Sequence, residues 1–307
     1  MAPRRPAEQR RRGRGAARAL ARGLLRPGRR LGLSAPGLSL RQAALLGLLQ
    51  GPLETLPVSS SGHLVLVPRL LDWPYARLDA RTRKSFEVAL HAGTALALGL
   101  ALRDEVLREA RRLDARRVLH AALAFAPPAV AGLRFGSVVE ERLGTVRGVA
   151  LAQIFAGLAL GAADRRPERR GRARAGSLDH LALGIAQASA LAPGVSRGGA
   201  TVTAARALGL TRSAAGRLSR EMAGPIVVGA AALEGTRQAS SGLEPRLRAP
   251  FAVGAATAFL SSWAASRLVA AVEGMGSYRP FAVYRVALGV AALVWEARRG
   301  WGAAGGA

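Results

Sequence analysis

Two short polar runs hold the residues that could do chemistry. The first, Leu49-Gln50-Gly51-Pro52-Leu53-Glu54-Thr55-Leu56-Pro57-Val58-Ser59-Ser60-Ser61-Gly62-His63-Leu64, sets a carboxylate, an imidazole and three hydroxyls in an apolar context. An ionisable group among apolar neighbours is costly to keep and marks a functional position. Glu54 can ligate Mg²⁺ or Ca²⁺ together with a bound anion, or it can orient His63. Gln50, four residues earlier, shares its helical face and offers a neutral oxygen. His63 follows the serines closely enough to take a proton from a hydroxyl or from water, or to return one to a leaving oxygen. Ser59 and Ser61 are suited to cap a broken helix and to bind phosphate oxygens. The second run is Gln187-Ala188-Ser189-Ala190-Leu191-Ala192-Pro193-Gly194-Val195-Ser196-Arg197-Gly198-Gly199-Ala200-Thr201. Arg197 offers a planar fork that grips phosphate oxygens bidentately. Gly194, Gly198 and Gly199 free backbone N–H groups for an anion-binding nest beside it. A grip for negative charge, a hydroxyl and a proton-handling group are what phosphoryl transfer needs.

The elements that must carry these runs belong to a membrane. Half of the 307 residues are hydrophobic, 5% are aromatic and none is cysteine, which excludes thiol nucleophiles, disulfide scaffolds and iron–sulfur clusters. Nine windows free of Asp, Glu, Lys and Arg recur between 42 and 295, and those at 118–133 and 249–266 are apolar on every face. A soluble helix would carry charges on one side; 15 to 18 apolar residues reach spanning length when flanking arginines snorkel. This predicts an all-α polytopic membrane protein, with loops at the Arg-bearing joints near 103–117, 134–147, 164–176, 235–248 and 298–299. Neither polar run supports an unbroken helix, since Pro57 removes a donor and Ser-Ser-Ser-Gly favours turns and caps. Irregular backbone at membrane depth must be buried in protein or line a wet cavity. The two runs also resemble each other, with Pro57 and Pro193 136 residues apart. Corresponding broken helices in two halves point to an inverted repeat with its site where the halves meet.

The net charge is +26, and residues 1–30 hold eleven arginines against one acid, Glu8. Residues 1–37 read as a disordered Arg-rich tail on anionic lipid headgroups, with no nucleic-acid partner. Residues 38–299 form one membrane domain, repeat one about 38–163 and repeat two about 177–299, and 300–307 form a Gly/Ala-rich tail. The tail is no signal peptide: its positive region is too long, and Arg41 interrupts the Leu-rich run.

The run Gln50 to Glu54, Pro57-Val58-Ser59-Ser60-Ser61-Gly62-His63 and Pro193 to Thr201 resemble the undecaprenyl-diphosphatase (bacitracin-resistance protein) family over about residues 38–296. Lys84-Ser85-Phe86-Glu87-Val88, Pro225 and Pro280-Phe281-Ala282-Val283-Tyr284-Arg285 add to the similarity. The resemblance implies an integral membrane phosphatase that converts undecaprenyl diphosphate to the monophosphate carrier of cell-wall synthesis. It implies two inverted repeats, each with a re-entrant helical hairpin, in the bacterial cytoplasmic membrane, with the site open to the outer face; a homodimer is compatible with it. Ser60 aligns with the family's proposed catalytic serine. The expected catalytic set is then Glu54, Ser60, His63 and Arg197. Substrate contacts are expected from Gln50, Ser59, Ser61, Gly194, Ser196, Gly198, Gly199 and Thr201, and a divalent cation, Mg²⁺ or Ca²⁺, from Glu54 and Gln50. The chain departs from the family at Gly198, usually a serine, which removes a hydroxyl; at Gln50, which weakens a two-carboxylate metal model; and at His91, where glutamine is common. Arg217 and Glu221, four apart, are placed to pair on one helix face, and His120 and His180 fall at interfaces or loops. The rival class is a polyprenyl-phosphate transporter or flippase, which needs Arg197 but no serine–imidazole pair.

Overall fold

The structure is a computed structural model that describes residues 37–223 and 243–304. The Arg-rich segment up to residue 36, the first part of the 235–248 joint and Pro225 lie outside the described residues. The described elements are α1 (Leu40–Thr55), α2 (Ser60–Leu70), α3 (Ala80–Ala101), α4 (Arg103–Ala110), α5 (Ala115–Leu143) and α6 (Val146–Asp164). They continue with α7 (Ser177–Ala188), α8 (Arg197–Ala207), α9 (Arg212–Glu221), α10 (Pro245–Glu273) and α11 (Arg279–Ala304), with no strand among the described residues. Three stretches, Ala115–Gly136, Val146–Asp164 and Arg279–Arg299, are long and apolar enough to cross a membrane; α3 with α4, bent by 73°, would add a fourth. Leu133, Phe155 and Val283 are 66–71% exposed, and so broad an apolar exterior suits lipid, not water. The chain is a membrane protein whose described elements are all helices.

Three of the expected joints are helical. The 103–117 joint contains α4, α5 continues through 134–143, and α11 runs past 298–299 to Ala304. Charge-rich sequence is compatible with helix wherever arginine finds a partner: Arg117 reaches Glu109 at 2.6 Å, Arg299 lies 3.6 Å from Asp72 and 4.4 Å over the Trp295 ring.

α1 begins where Ser39 accepts the Gln42 N–H at 3.2 Å. It ends because Pro57 forces Leu56 into extended backbone, at φ −91° and ψ 150°. Ser59 then turns with φ 75° and caps α2, its Oγ accepting the Gly62 N–H at 3.3 Å. The second polar run repeats this 137 positions later: Ser196, φ 71°, caps α8 by accepting the Gly199 N–H at 3.1 Å. The register continues past both helices to Asp72 (φ 51°) and Gly209 (φ 80°), again 137 apart. Left-handed backbone is strained for serine, so its recurrence at one register is a built feature.

Each first arm packs on a helix of the other half: α1 along α10, α7 along α5. The crossings are so close that a Cβ on Gly47 would stand 2.4 Å from Gly254 O, and one on its counterpart Gly184 2.6 Å from Leu123 O. In the α1–α10 crossing the Ser261 hydroxyl enters the helical ladder, accepting from Gly51 N–H at 3.1 Å and donating to Gly47 O at 2.8 Å. Long helices α6 and α11 pack along each other. The end of α6 meets the start of α11, where Asp164 accepts from the Ser277 hydroxyl (2.7 Å) and the Tyr278 N–H (2.9 Å). α8 leads to that end, since the first residue of the following α9, Arg212, is tied to Asp164 at 2.7 Å. α2 leads to the other, where Asp72 meets Arg299. The two broken segments therefore send their second arms in opposite directions from a common middle.

Candidate active site

The middle is where the chemistry-bearing residues gather. Glu54 sits in the last turn of α1, just before the break. The Ser60 hydroxyl, first residue of α2, donates to Glu54 Oε2 at 2.7 Å. Arg197, first residue of α8, brings Nη2 to 3.5 Å from Glu54 Oε1. Ser60 and Arg197 occupy the same register position in the two runs, so each break presents its first helical side chain to one oxygen of a single carboxylate. The Arg197 fork is held by donation from Nη1 to Ser219 O at 3.2 Å, while its Nε is buried without a partner. That leaves guanidinium N–H capacity for an anion.

His91 joins this group from α3, with Nε2 3.6 Å from Glu54 Oε2. Its Nδ1–H donates to Glu87 O at 2.8 Å, because a carbonyl can only accept. The sequence marked His91 only as a departure from the family's glutamine; its nearness to Glu54 was hidden because they lie 37 positions apart.

His63 does not do what its position beside the serines suggested. Its Nδ1–H donates to Ser59 O at 2.7 Å, and its Nε2 accepts from Tyr284 OH at 2.7 Å with the two rings stacked. Both nitrogens are thus occupied away from the serine hydroxyls and from Glu54, so the expected serine–imidazole pair and the Glu54–His63 pair are not formed. The cause is local: a histidine four residues after the turn reaches back to the turn's carbonyl, and Ser60 faces Glu54 instead.

The expected substrate contacts divide into three groups. Ser59 and Ser196 spend their hydroxyls on the caps, and Gly62 and Gly199 N–H are taken by them. The first-turn amides at Ser61 and Gly198 have no intrahelical acceptor, and the Ser61 hydroxyl stands 3.4 Å from Ser59 Oγ. Gly194, φ 101°, serves the turn, its carbonyl accepting from Arg285 at 2.8 Å. Thr201 is fully buried inside α8, 2.7 Å from Ser219 Oγ and 3.0 Å from Arg197 O, so its hydroxyl buttresses the start of α8 behind Arg197. Glu221 pairs with Arg172 at 2.7 Å and Arg217 donates to Ser213 at 3.1 Å, so the Arg217–Glu221 pairing is not formed. His120 and His180 stack on each other, 4.1 Å between centroids, at the α5–α7 contact.

Gln50, fully buried one turn before Glu54, has both amide atoms without a partner. No group of three or more His, Cys, Asp or Glu that could hold a metal gathers among the described residues. One carboxylate and one amide oxygen fit a hard cation that brings its remaining ligands as phosphate oxygens. Tyr284, Arg285 and Ser219 were given no role from sequence. The first two stood in a matching motif, but what they touch lies up to 228 residues away.

Comparison with known proteins adds the family. The model for "Bacitracin resistance protein BacA" matches residues 43–291. The undecaprenyl-diphosphatase of Pelotomaculum thermopropionicum is 40% identical over 186 residues, covering 58% of this chain and 68% of that protein. Those of Chromohalobacter salexigens and Alcanivorax borkumensis are 37% and 36% identical, covering 82–83% of this chain and 97–98% of theirs. With both motifs, the helical membrane architecture and these matches across nearly its whole described length, the chain belongs to the bacitracin resistance protein BacA family.

Proposed function

We propose that this protein is an undecaprenyl-diphosphate phosphatase of the bacterial cytoplasmic membrane, with its site open to the outer side. The observation that carries the reading is the convergence of Ser60 and Arg197 on opposite oxygens of Glu54. Arg197 grips the terminal phosphate, with the amides at Ser61 and Gly198 as further donors. Ser60 Oγ attacks the terminal phosphorus as its proton passes to Glu54. The new O–P bond forms while the anhydride bond breaks, releasing undecaprenyl phosphate. Glu54 hands the Ser60 proton to the departing undecaprenyl phosphate. Water then attacks the phosphoserine, the Ser60 O–P bond breaks to give inorganic phosphate, and a water proton returns to Ser60 through Glu54. Glu54 and Gln50 Oε1 would hold a divalent cation, Mg²⁺ or Ca²⁺, which would neutralise charge on the diphosphate. His63 works from behind the turn, fixing the Ser59 carbonyl and Tyr284. We also read the two halves as inverted repeats with re-entrant hairpins α1–α2 and α7–α8, which the 137-residue register and the opposed directions of α2 and α8 support.

The test is phosphate release from a short-chain polyprenyl diphosphate by detergent-purified protein, with and without EDTA. Release that depends on Ser60 and Glu54 is expected; a protein that binds the lipid and releases no phosphate would be a carrier, and the hydrolase reading would fall.

A further inference from the structure

Arg285 is fully buried in α11, and among the described residues no carboxylate pairs with it. A buried charge needs compensation, and this one takes it entirely from backbone carbonyls in the two breaks. Nη1 donates to Pro57 O at 3.1 Å; Nη2 donates to Gly194 O at 2.8 Å and Val195 O at 2.6 Å. Those carbonyls lie one or two residues before the turning serines. Each break has left its helical ladder there, so these oxygens have no backbone donor. Left unheld, they would be free to rotate toward the mouths of α2 and α8, where they would repel an anion.

The breaks also abut each other. A Cβ on Gly62 would stand 3.1 Å from Gly194 Cα, and one on Gly199 3.3 Å from Pro57 O and 2.4 Å from Arg285 Nη1. The helix pair α6–α11 serves both valine carbonyls: Arg285 serves Val195 O, and Gln153 Nε2 of α6 donates to its register counterpart Val58 O at 2.9 Å. Among the described residues, Arg285 alone reaches carbonyls of both breaks.

We propose that Arg285 is a positioning residue that ties the two breaks together, turning their carbonyls inward to itself and the starts of α2 and α8 outward to one anion. It acts through the backbone and touches no substrate. This rests on the phosphatase reading for what the anion is, but the clamp itself is testable by binding alone.

The experiment compares wild type, Arg285→Ala and Arg285→Lys, with and without guanidinium chloride at concentrations below those that unfold the wild type. Three readouts are taken: helicity and melting in detergent, kcat and KM on a short-chain polyprenyl diphosphate, and affinity for its non-hydrolysable methylene-bridged analogue. Misplacing reacting groups by about 1 Å costs on the order of 100-fold in rate. Arg285→Ala should lose about that in kcat and bind the analogue more weakly. Free guanidinium should restore a substantial part of both losses, and Arg285→Lys should fall between. Wild-type kcat and analogue affinity in a folded Arg285→Ala protein would overturn the proposal. So would losses that neither guanidinium nor lysine repairs, because packing alone would then explain them. If wild type binds the analogue but hydrolyses nothing, the phosphatase reading fails, and a guanidinium-rescued affinity still supports the clamp.

Discussion

Ser60 and Glu54, joined by a 2.7 Å hydrogen bond, form one proton-transfer unit in the proposed mechanism, and units of this kind lose activity non-additively. Ser60→Ala and Glu54→Ala should each nearly abolish phosphate release, with the double variant little worse than either; multiplicative losses in a turnover assay would separate the two residues. Arg197→Lys should lose most activity although the charge is kept, because a point ammonium cannot reproduce the planar fork. Near-normal turnover in that variant would remove Arg197 from the phosphate. At this scale the sequence named Glu54, Ser60 and Arg197 correctly as neighbours-to-be, because two motifs so unlike a membrane helix had to meet in something wet. The pairing of His63 with the serines was not legible, since adjacency says nothing of where a ring nitrogen points. The ring's true partner, Tyr284, is 221 residues away.

The breaks themselves were legible as elements: proline dictates the end of α1, and a serine beginning the next helix dictates its cap. The lengths of α4, α5 and α11 were not, because arginine-rich stretches look like loops until their carboxylate or aromatic partners come into view. Nor could the sequence show that α1 lies on α10 and α7 on α5. The tightness of these crossings makes a prediction of their own. Gly47→Val and Gly184→Val each drive a side chain into a backbone carbonyl, and overpacking of this kind costs about 1–3 kcal/mol. Both should lower the melting temperature in detergent, whereas Gly136→Val, with open space around it, should leave it unchanged.

Over the whole molecule, function is concentrated between residues 50 and 285, and the eleven arginines of residues 1–30 add charge without a motif. Removing residues 1–30 should leave the purified enzyme's turnover intact; loss of activity in a truncated protein with native helicity would give the segment a catalytic part. The exchange of arms between halves has a consequence for how the protein is made. The Gly51 amide waits for Ser261, 210 residues further along the chain. At about 5–20 residues per second of synthesis, that is roughly 10–40 s. During that interval the α1–α2 segment stands in or beside the bilayer without the α10 hydroxyl that its Gly51 amide meets in the finished fold. The nascent chain should therefore acquire protease resistance in the α1–α2 segment only after residue 261 has left the ribosome, and ribosome-stalled chains ending before α10 should be recognised by membrane quality control as unfinished.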